Sequence, residues 1–563
     1  MRNKLIPILF ILLIVIFTFS SCRKKLDQAY ANPNAPTVVP VEQIFPSLVG
    51  QLNSFFSSAG SAYGLAQDNL LIGRYIQYWG TYSTAFSPIS TTLSNQSNYD
   101  QMGGTVGASD NLGSVWAMFY YGMGQNLNRV VQWGSEQEKW DFVGGALALR
   151  AWSMLEVTNE YNHMVLREAF DASKQQFTYQ DQPEIYDSVR VIAFRALDYL
   201  NRTGGNMNPA NFAASDAYLN GGNLDRWKKF VYGVLARSYA YLTNKSTYSA
   251  DSVIKYASLS CSSNADNITQ KFAALGSSGT TNYYGPLRGN AGSIRQSKYI
   301  ADLMNGANPD IFTGVQDPRR AHMLQPDSND TYNGITVWGG TSGYSVKDQP
   351  FNVWGSGPAA PTSAGTSPIY IFQNNAEYPV MTASEMQFIL AEAYLRKGNS
   401  AAALAAYVNG ISLNFDMLSS KYSTNIPSGA QINATNKASY LANPAIVPAT
   451  PSELTLSMVM LQKYIALYGW GVQETWVDMR RYHYTDIDNV TSTGKQVYVG
   501  FTPPSGGNLF SNNNGKLVYR ARMRYNSEYL YDIPSLMEIG AVSDVMGTQV
   551  LDYHTKLTWF AQP

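Results

Sequence analysis

Two glutamates seven residues apart, Glu385 and Glu392, share a stretch of helical spacing. Hydrolysis of a glycosidic bond needs two carboxyls about 5–10 Å apart in a cleft, one to donate a proton and one to activate water or attack. Both residues have plainer uses. Glu385 stands three residues after Thr382, the spacing of a helix-capping box, and Glu392 borders an apolar stripe. His163, His322, His483 and His554 stand alone, without the spacing that ligates a metal. There is no nucleophile elbow, His-Glu-x-x-His, Cys-x-x-Cys, phosphate loop or EF-hand loop. Gly122-Met123-Gly124 lacks the third glycine of a dinucleotide fingerprint. The expectation is a protein without catalytic residues, cofactor or metal.

Cys22 is the one residue with a clear chemical context. Arg2 and Lys4 precede an apolar run from Leu5 to Phe19, and Ser20-Ser21 lead into the cysteine. A basic start, an apolar stretch and small residues before a cut describe an export signal. The run is too short for a confident span of about 20 residues. The placement of Cys22 resembles a bacterial lipoprotein signal, with residues 1–21 removed and the cysteine acylated. Residues 22–46, Pro- and Asn-rich, then read as a tether and lead-in loop. Cys261, left without a partner, reads as a buried small hydrophobe.

Composition narrows the rest. The 563 residues carry 40 Lys+Arg and 40 Asp+Glu, so nothing marks a nucleic-acid surface. Charged residues are 14%, against about 25% in ordinary soluble chains, and 39 Tyr, 23 Phe and 11 Trp fill the difference. With 45% apolar residues the chain can bury a large core.

The elements that must position these residues are helices in pairs. After Thr382, the residues Met386, Ile389, Leu390, Ala393 and Tyr394 repeat at i, i+3, i+4, i+7 and i+8. Gly398-Asn399 stops that helix, and Ala401, Leu404, Ala405, Val408 and Ile411 carry the next. Thr450-Pro451-Ser452-Glu453 reads as a cap and first turn of a helix to about Tyr468, and a second follows from Val472 to about Tyr482. Segments 138–159 with 184–200, and 224–242 with 249–260, predict two further pairs. The expected fold is mainly α: about four tetratricopeptide-like pairs in one domain, 47–563, interrupted by long loops. The insertions at 84–114, 276–380 and 485–518 are rich in Gly, Ser, Thr, Asn and aromatics, and long loops of that kind tend to carry function.

Six segments stand out as a set: Tyr378-Pro379-Val380-Met381-Thr382 running through Glu385 to Glu392, Asp317-Pro318-Arg319, and Gln462-Lys463-Tyr464 are three of them. Glu474-Thr475-Trp476-Val477-Asp478-Met479-Arg480-Arg481, Arg522-Met523-Arg524-Tyr525 with Glu528, and the terminal Lys556-Leu557-Thr558-Trp559-Phe560 complete it. Taken together they resemble the SusD/RagB-like outer-membrane lipoproteins of Bacteroidetes. The resemblance implies a lipid-anchored, surface-facing lid that captures oligosaccharide or polysaccharide for a SusC-like TonB-dependent transporter, with oligopeptide as the alternative cargo. Arg23-Lys24-Lys25 depart from the acidic run that follows the cysteine in many surface-exposed relatives. Glu392 with Arg480 or Arg481 reads as a charge pair locking the scaffold.

A sugar offers an apolar C–H face to an aromatic ring and a hydroxyl rim to amides and guanidinium groups. Trp79 and Tyr82 occupy the place where glycan-binding relatives carry a stacking Trp. Tyr283, Tyr284, Trp338 and Trp354 lie in the central insertion, which supplies other such rings. Arg74 and Asn333 are the expected polar partners.

Overall fold

The computed structural model describes residues 38–52, 63–82, 102, 112–273 and 280–563. The export signal, Cys22 and most of the 84–114 insertion lie outside them. Helices of eight residues or more are α1 (Val41–Val49), α2 (Leu65–Tyr75), α3 (Gly124–Glu136), α4 (Trp140–Tyr161), α5 (Gln182–Leu200), α6 (Leu224–Ala240) and α7 (Ala250–Leu259). They continue as α8 (Lys298–Asn305), α9 (Ala383–Arg396), α10 (Ser400–Lys421), α11 (Ala434–Leu441), α12 (Leu456–Ala466) and α13 (Val472–Arg481). Six short strands, β1 (Trp79–Thr81), β2 (Met164–Val165), β3 (Tyr179–Gln180), β4 (Ile268–Gln270), β5 (Ile294–Gln296) and β6 (Tyr378–Met381), pair antiparallel as β1–β5, β2–β3 and β4–β6.

The helices stack in sequence. α4 packs on α5, α5 on α6, α6 on α7, α7 on α9 and α9 on α10. The last pair divides its contacts: α12 rests on α9 and α10, and α13 on α2 and α4, with Lys463 Nζ 2.8 Å from Asp478 Oδ2 joining the two. The helical scaffold read from periodicity is therefore present, and one continuous apolar core runs through it. Local signals act as the sequence implies. Thr382 accepts the Glu385 backbone N–H, and Gly398 takes a φ of +76° where α9 turns into α10.

Three local readings change. The side chain of Glu385 does not complete the capping box; it accepts two hydrogen bonds from Arg237, at 2.7 and 2.8 Å. A charged partner outbids a backbone N–H. The Thr450–Glu453 box does form, but on a single 3-10 turn, and α12 starts afresh under its own cap, Thr455. At the front of the chain the expected lead-in loop is helical from Val41. Val41, Ile44, Phe45 and Leu48 make one buried face, and Pro46 is tolerated on the exposed side of the same helix.

Candidate functional site

The central insertion is built around one small ladder. β1 pairs with β5 in the register Trp79–Gln296, Gly80–Arg295 and Thr81–Ile294. A parallel bridge from Ser297 to Ile335 adds the next segment. Residues 336–340 form a turn in which Gly339 and Gly340 both donate to the Thr336 carbonyl at 3.0 Å. The chain then returns to β1: Thr341 donates through its backbone N–H (3.2 Å) and its hydroxyl (2.8 Å) to the Tyr82 carbonyl. Tyr82 is held on the other side by its own N–H on Ser293 O, 3.0 Å away.

That geometry divides the expected rings. Tyr82 and Trp338 are half-buried, so each keeps an accessible part, and their segments are hydrogen-bonded to one another. Tyr344, half-buried on the same loop and donating its N–H to Thr341 O at 3.2 Å, belongs with them; sequence reasoning passed it over among 39 tyrosines. Arg295 reinforces the edge from below. Its guanidinium lies 5.7 Å from the Tyr82 ring centroid and donates to Gly292 O, Ile294 O and Pro361 O at 3.1, 3.0 and 2.7 Å. Burial pushes this guanidinium down to about 10.

Trp79, Tyr284 and Trp354 are core residues, with 0%, 0% and 1% exposure, and a ring with no open face cannot stack on a sugar. Trp79 lies under α2, where Gly73 leaves it room: a Cβ there would be 2.4 Å from the indole. Its Nε1 donates to Leu70 O at 3.1 Å, and Tyr284, Phe372 and Tyr468 meet it edge-on. Trp354 donates to Tyr284 O at 2.7 Å, and Tyr284 reaches Ala66 O at 3.3 Å. These three rings support the ladder from inside. Tyr283 is 7% exposed beside the Arg288 guanidinium, 5.8 Å from its ring centroid.

The polar pair also divides. Arg74 is half-buried on the last turn of α2, and burial pushes its guanidinium down to about 10. Asn333 spends its amide N–H groups on Asp327 Oδ2 (2.7 Å) and Thr331 Oγ1 (3.1 Å), closing its own loop. None of the eight expected residues lines the clearest concavities of the described surface, which lie around Asp310–Met458, Arg226–Glu377, Leu200–Lys228 and Val315–Asn443. What the ladder carries is a ledge, an edge of hydrogen-bonded segments bearing half-buried rings.

The charged motifs resolve as internal bonds. Arg481 donates to both oxygens of Glu392 at 2.5 Å and to Asp478. Burial pushes the Glu392 carboxyl up, but Arg481 outweighs it and holds the group well below the carboxylate range. Arg480 bonds elsewhere, donating to Asn159 O and Tyr519 O and lying 3.6 Å from the Trp476 ring centroid, and burial pushes it down to about 9. The histidines serve locally. His322, for example, faces Tyr422 O through Nδ1 and accepts Ile432 N–H at Nε2. Cys261 is fully buried, its thiol pushed up to about 12 by burial. Among the described residues no three His, Cys, Asp or Glu gather as a metal set, and no helix is long and apolar enough to cross a membrane.

Comparison with known proteins gives a profile match over residues 51–501 to the SusD-like group described as starch-binding and associating with the outer membrane. No curated protein matches. Among solved structures, a SusD homolog from Bacteroides uniformis is 18% identical, covering 93% of this chain and 99% of its own, with a TM-score of 0.62. One from Bacteroides fragilis is 18% identical over 93% of this chain and all of its own, at 0.64. A chitin-binding SusD homolog from Flavobacterium johnsoniae is 16% identical over 92% and 100%, at 0.60.

Proposed function

The chain belongs to the SusD-like family of outer-membrane-associated proteins, and from that membership we propose that it is a non-catalytic, lipid-anchored surface protein that captures oligosaccharide or polysaccharide and passes it to a SusC-like TonB-dependent transporter. The observation that carries the glycan reading is the tie between the segments of Tyr82 and Trp338: two rings with accessible parts, fixed on one edge by Thr341. Segments already tied together lose little backbone freedom when a sugar stacks on their rings, so less of the interaction is spent on ordering. An open ledge suits a polymer that enters from either side. The chitin-binding relative from Flavobacterium johnsoniae agrees in ligand class. Cys22 is the proposed lipidation site.

Calorimetric titration of the soluble chain starting after Cys22, against polysaccharides, oligosaccharides and mixed peptides, tests this. Glycan binding that is lost in Trp338→Ala and Tyr82→Ala is the expected result. Binding of peptides alone, or glycan binding indifferent to both changes, overturns it.

A further inference from the structure

Away from the ring ledge, a cavity of about 200 Å³ opens between the first turn of α6, strand β4 and the C-terminal end of α10. Its wall carries three cationic side chains, Arg226, Lys271 and Lys421, and one carboxylate, Glu377. Glu377 is already engaged: Lys421 Nζ stands 3.2 Å from Oε1 and Thr269 Oγ1 donates to Oε2 at 2.8 Å. Arg226 gives one Nη2 hydrogen to the Asn267 carbonyl, while its Nε is buried without an acceptor. Lys271 has no carboxylate on this wall left to pair with. The lining sets three cations against one carboxylate, with Asp216 behind Arg226 as a further counter-charge, and it leaves the Arg226 Nε without an acceptor. The mutual repulsion of the cations falls, and charge-assisted hydrogen bonds form, when an anion enters.

The size limits what enters. At about 30 Å³ per water, the space holds a handful of waters, enough for one oxyanion or one acidic sugar unit and too little for an oligosaccharide. Asn264 and Asn267 add amide groups to the same wall. We propose that this pocket binds a single small oxyanionic group, a carboxylate or a sulfate. The proposal stands apart from the glycan-capture reading, since no residue is shared with the ledge.

The test is calorimetry on the full chain from residue 23 onward, titrated with sodium sulfate and with sodium glucuronate. Sodium chloride at matched ionic strength and neutral glucose serve as controls. Saturable binding of sulfate, glucuronate or both, absent with chloride and glucose, is expected. Sulfate alone would assign the pocket to a free anion, and glucuronate to an acidic substituent of a sugar. Affinity is expected to drop about tenfold or more in Arg226→Gln and in Lys271→Gln. Lys271→Gln removes a side chain with no carboxylate partner in the pocket, so it separates loss of the site from loss of the fold. Heats no larger than those of chloride, or full binding in Lys271→Gln, overturn the proposal.

Discussion

A buried guanidinium of the scaffold and two loop carboxylates of the insertions satisfy themselves over very different distances along the chain. In the scaffold, Arg237 on α6 meets Glu385 on α9, Glu474 on α13 and Glu156 on α4, at 2.7, 2.7 and 3.5 Å. One guanidinium thus joins four helices spread over more than 300 residues. In the insertions, where ties such as Thr341 to Tyr82 also reach far, two carboxylates close on their own loops. Asp327 accepts from Asn329 N, Thr331 N, Thr331 Oγ1 and Asn333 Nδ2; Asp488 accepts from Val490 N and Thr491 N. A loop that closes on itself can change residues without disturbing its neighbours. A four-helix ion cluster cannot. The self-closed loop around Asp327 leads into the segment that displays Trp338.

The comparison breaks most visibly if the long-range bonds prove dispensable. Arg237→Met leaves three buried carboxyls without their cation and is expected to remove about 3–5 kcal/mol of stability. Trp79→Ala, which empties a fully enclosed site, is expected to cost about the same. Urea unfolding of each variant measures both, and a loss below 1 kcal/mol in either would mean the scaffold does not depend on that residue as the packing implies. Trp338→Ala should behave oppositely. Its half-buried ring is expected to contribute about 1 kcal/mol or less to stability, while glycan affinity falls roughly tenfold or more. A large loss of stability with unchanged affinity would move Trp338 to the side of Trp79.

That contrast between two tryptophans also marks what the sequence made legible. Helix pairs were readable because apolar periodicity, caps and glycine stops are local signals, and α4 to α7, α9 and α13 start and stop within a few residues of their predicted bounds, while α10 runs on to Lys421, ten residues past the apolar repeat that ended at Ile411. The Glu392–Arg481 pair was readable as a pairing of types, though not which arginine would take it. The partner of Glu385 was hidden because Arg237 lies 148 residues away and nothing in the spacing links them. Which rings face outward was hidden for the same reason. Trp79 and Tyr82 are three residues apart, and the close approach of α2 at Gly73 together with Tyr284, Phe372 and Tyr468, all distant in sequence, decides that the first is enclosed.

A second consequence of the buried network concerns pH. Asp68 and Glu160 are fully buried side by side. Asp68 accepts the Val115 and Ser114 N–H groups at 2.7 and 3.2 Å, and Glu160 accepts from Gln473 at 2.7 Å. Burial pushes Asp68 up to about 7, and burial together with the Asp68 charge pushes Glu160 well up. The folded chain therefore holds protons that the unfolded chain releases near pH 4. Stability from this pair is fully present below that value and is lost as pH rises toward 7. Glu392 works in the opposite sense: its lowered value adds stability above the unfolded carboxyl range, lost as pH falls toward its folded value. The urea midpoint should accordingly fall between pH 5 and 7.5, and Asp68→Asn should flatten that slope. A midpoint that rises over the interval would show that burial does not keep Asp68 and Glu160 protonated above the ordinary carboxyl range.

The smallest effect sharpens the comparison by holding chemistry constant and changing only burial. Lys397 and Asp251 form an ion pair between α9 and α7 with half or more of each side chain exposed, at 51% and 76%. The Arg481–Glu392 pair is 0% and 4% exposed. Water and salt screen the first, and ordering two long side chains offsets most of its attraction, so Asp251→Ala is expected to change stability by less than about 1 kcal/mol. Removing Arg481 takes away the bidentate partner of Glu392 and leaves the buried carboxylate with Arg396, 3.2 Å away, and the Tyr482 hydroxyl, so the expected loss is several-fold larger. Adding salt separates them further, because it weakens what little the exposed pair contributes and leaves the buried pair nearly untouched. Equal losses in Asp251→Ala and Arg481→Met, or equal salt dependence, would show that distance from solvent is not what sets the strength of these bonds. The division between a locked scaffold and a tolerant outer layer would then need another cause.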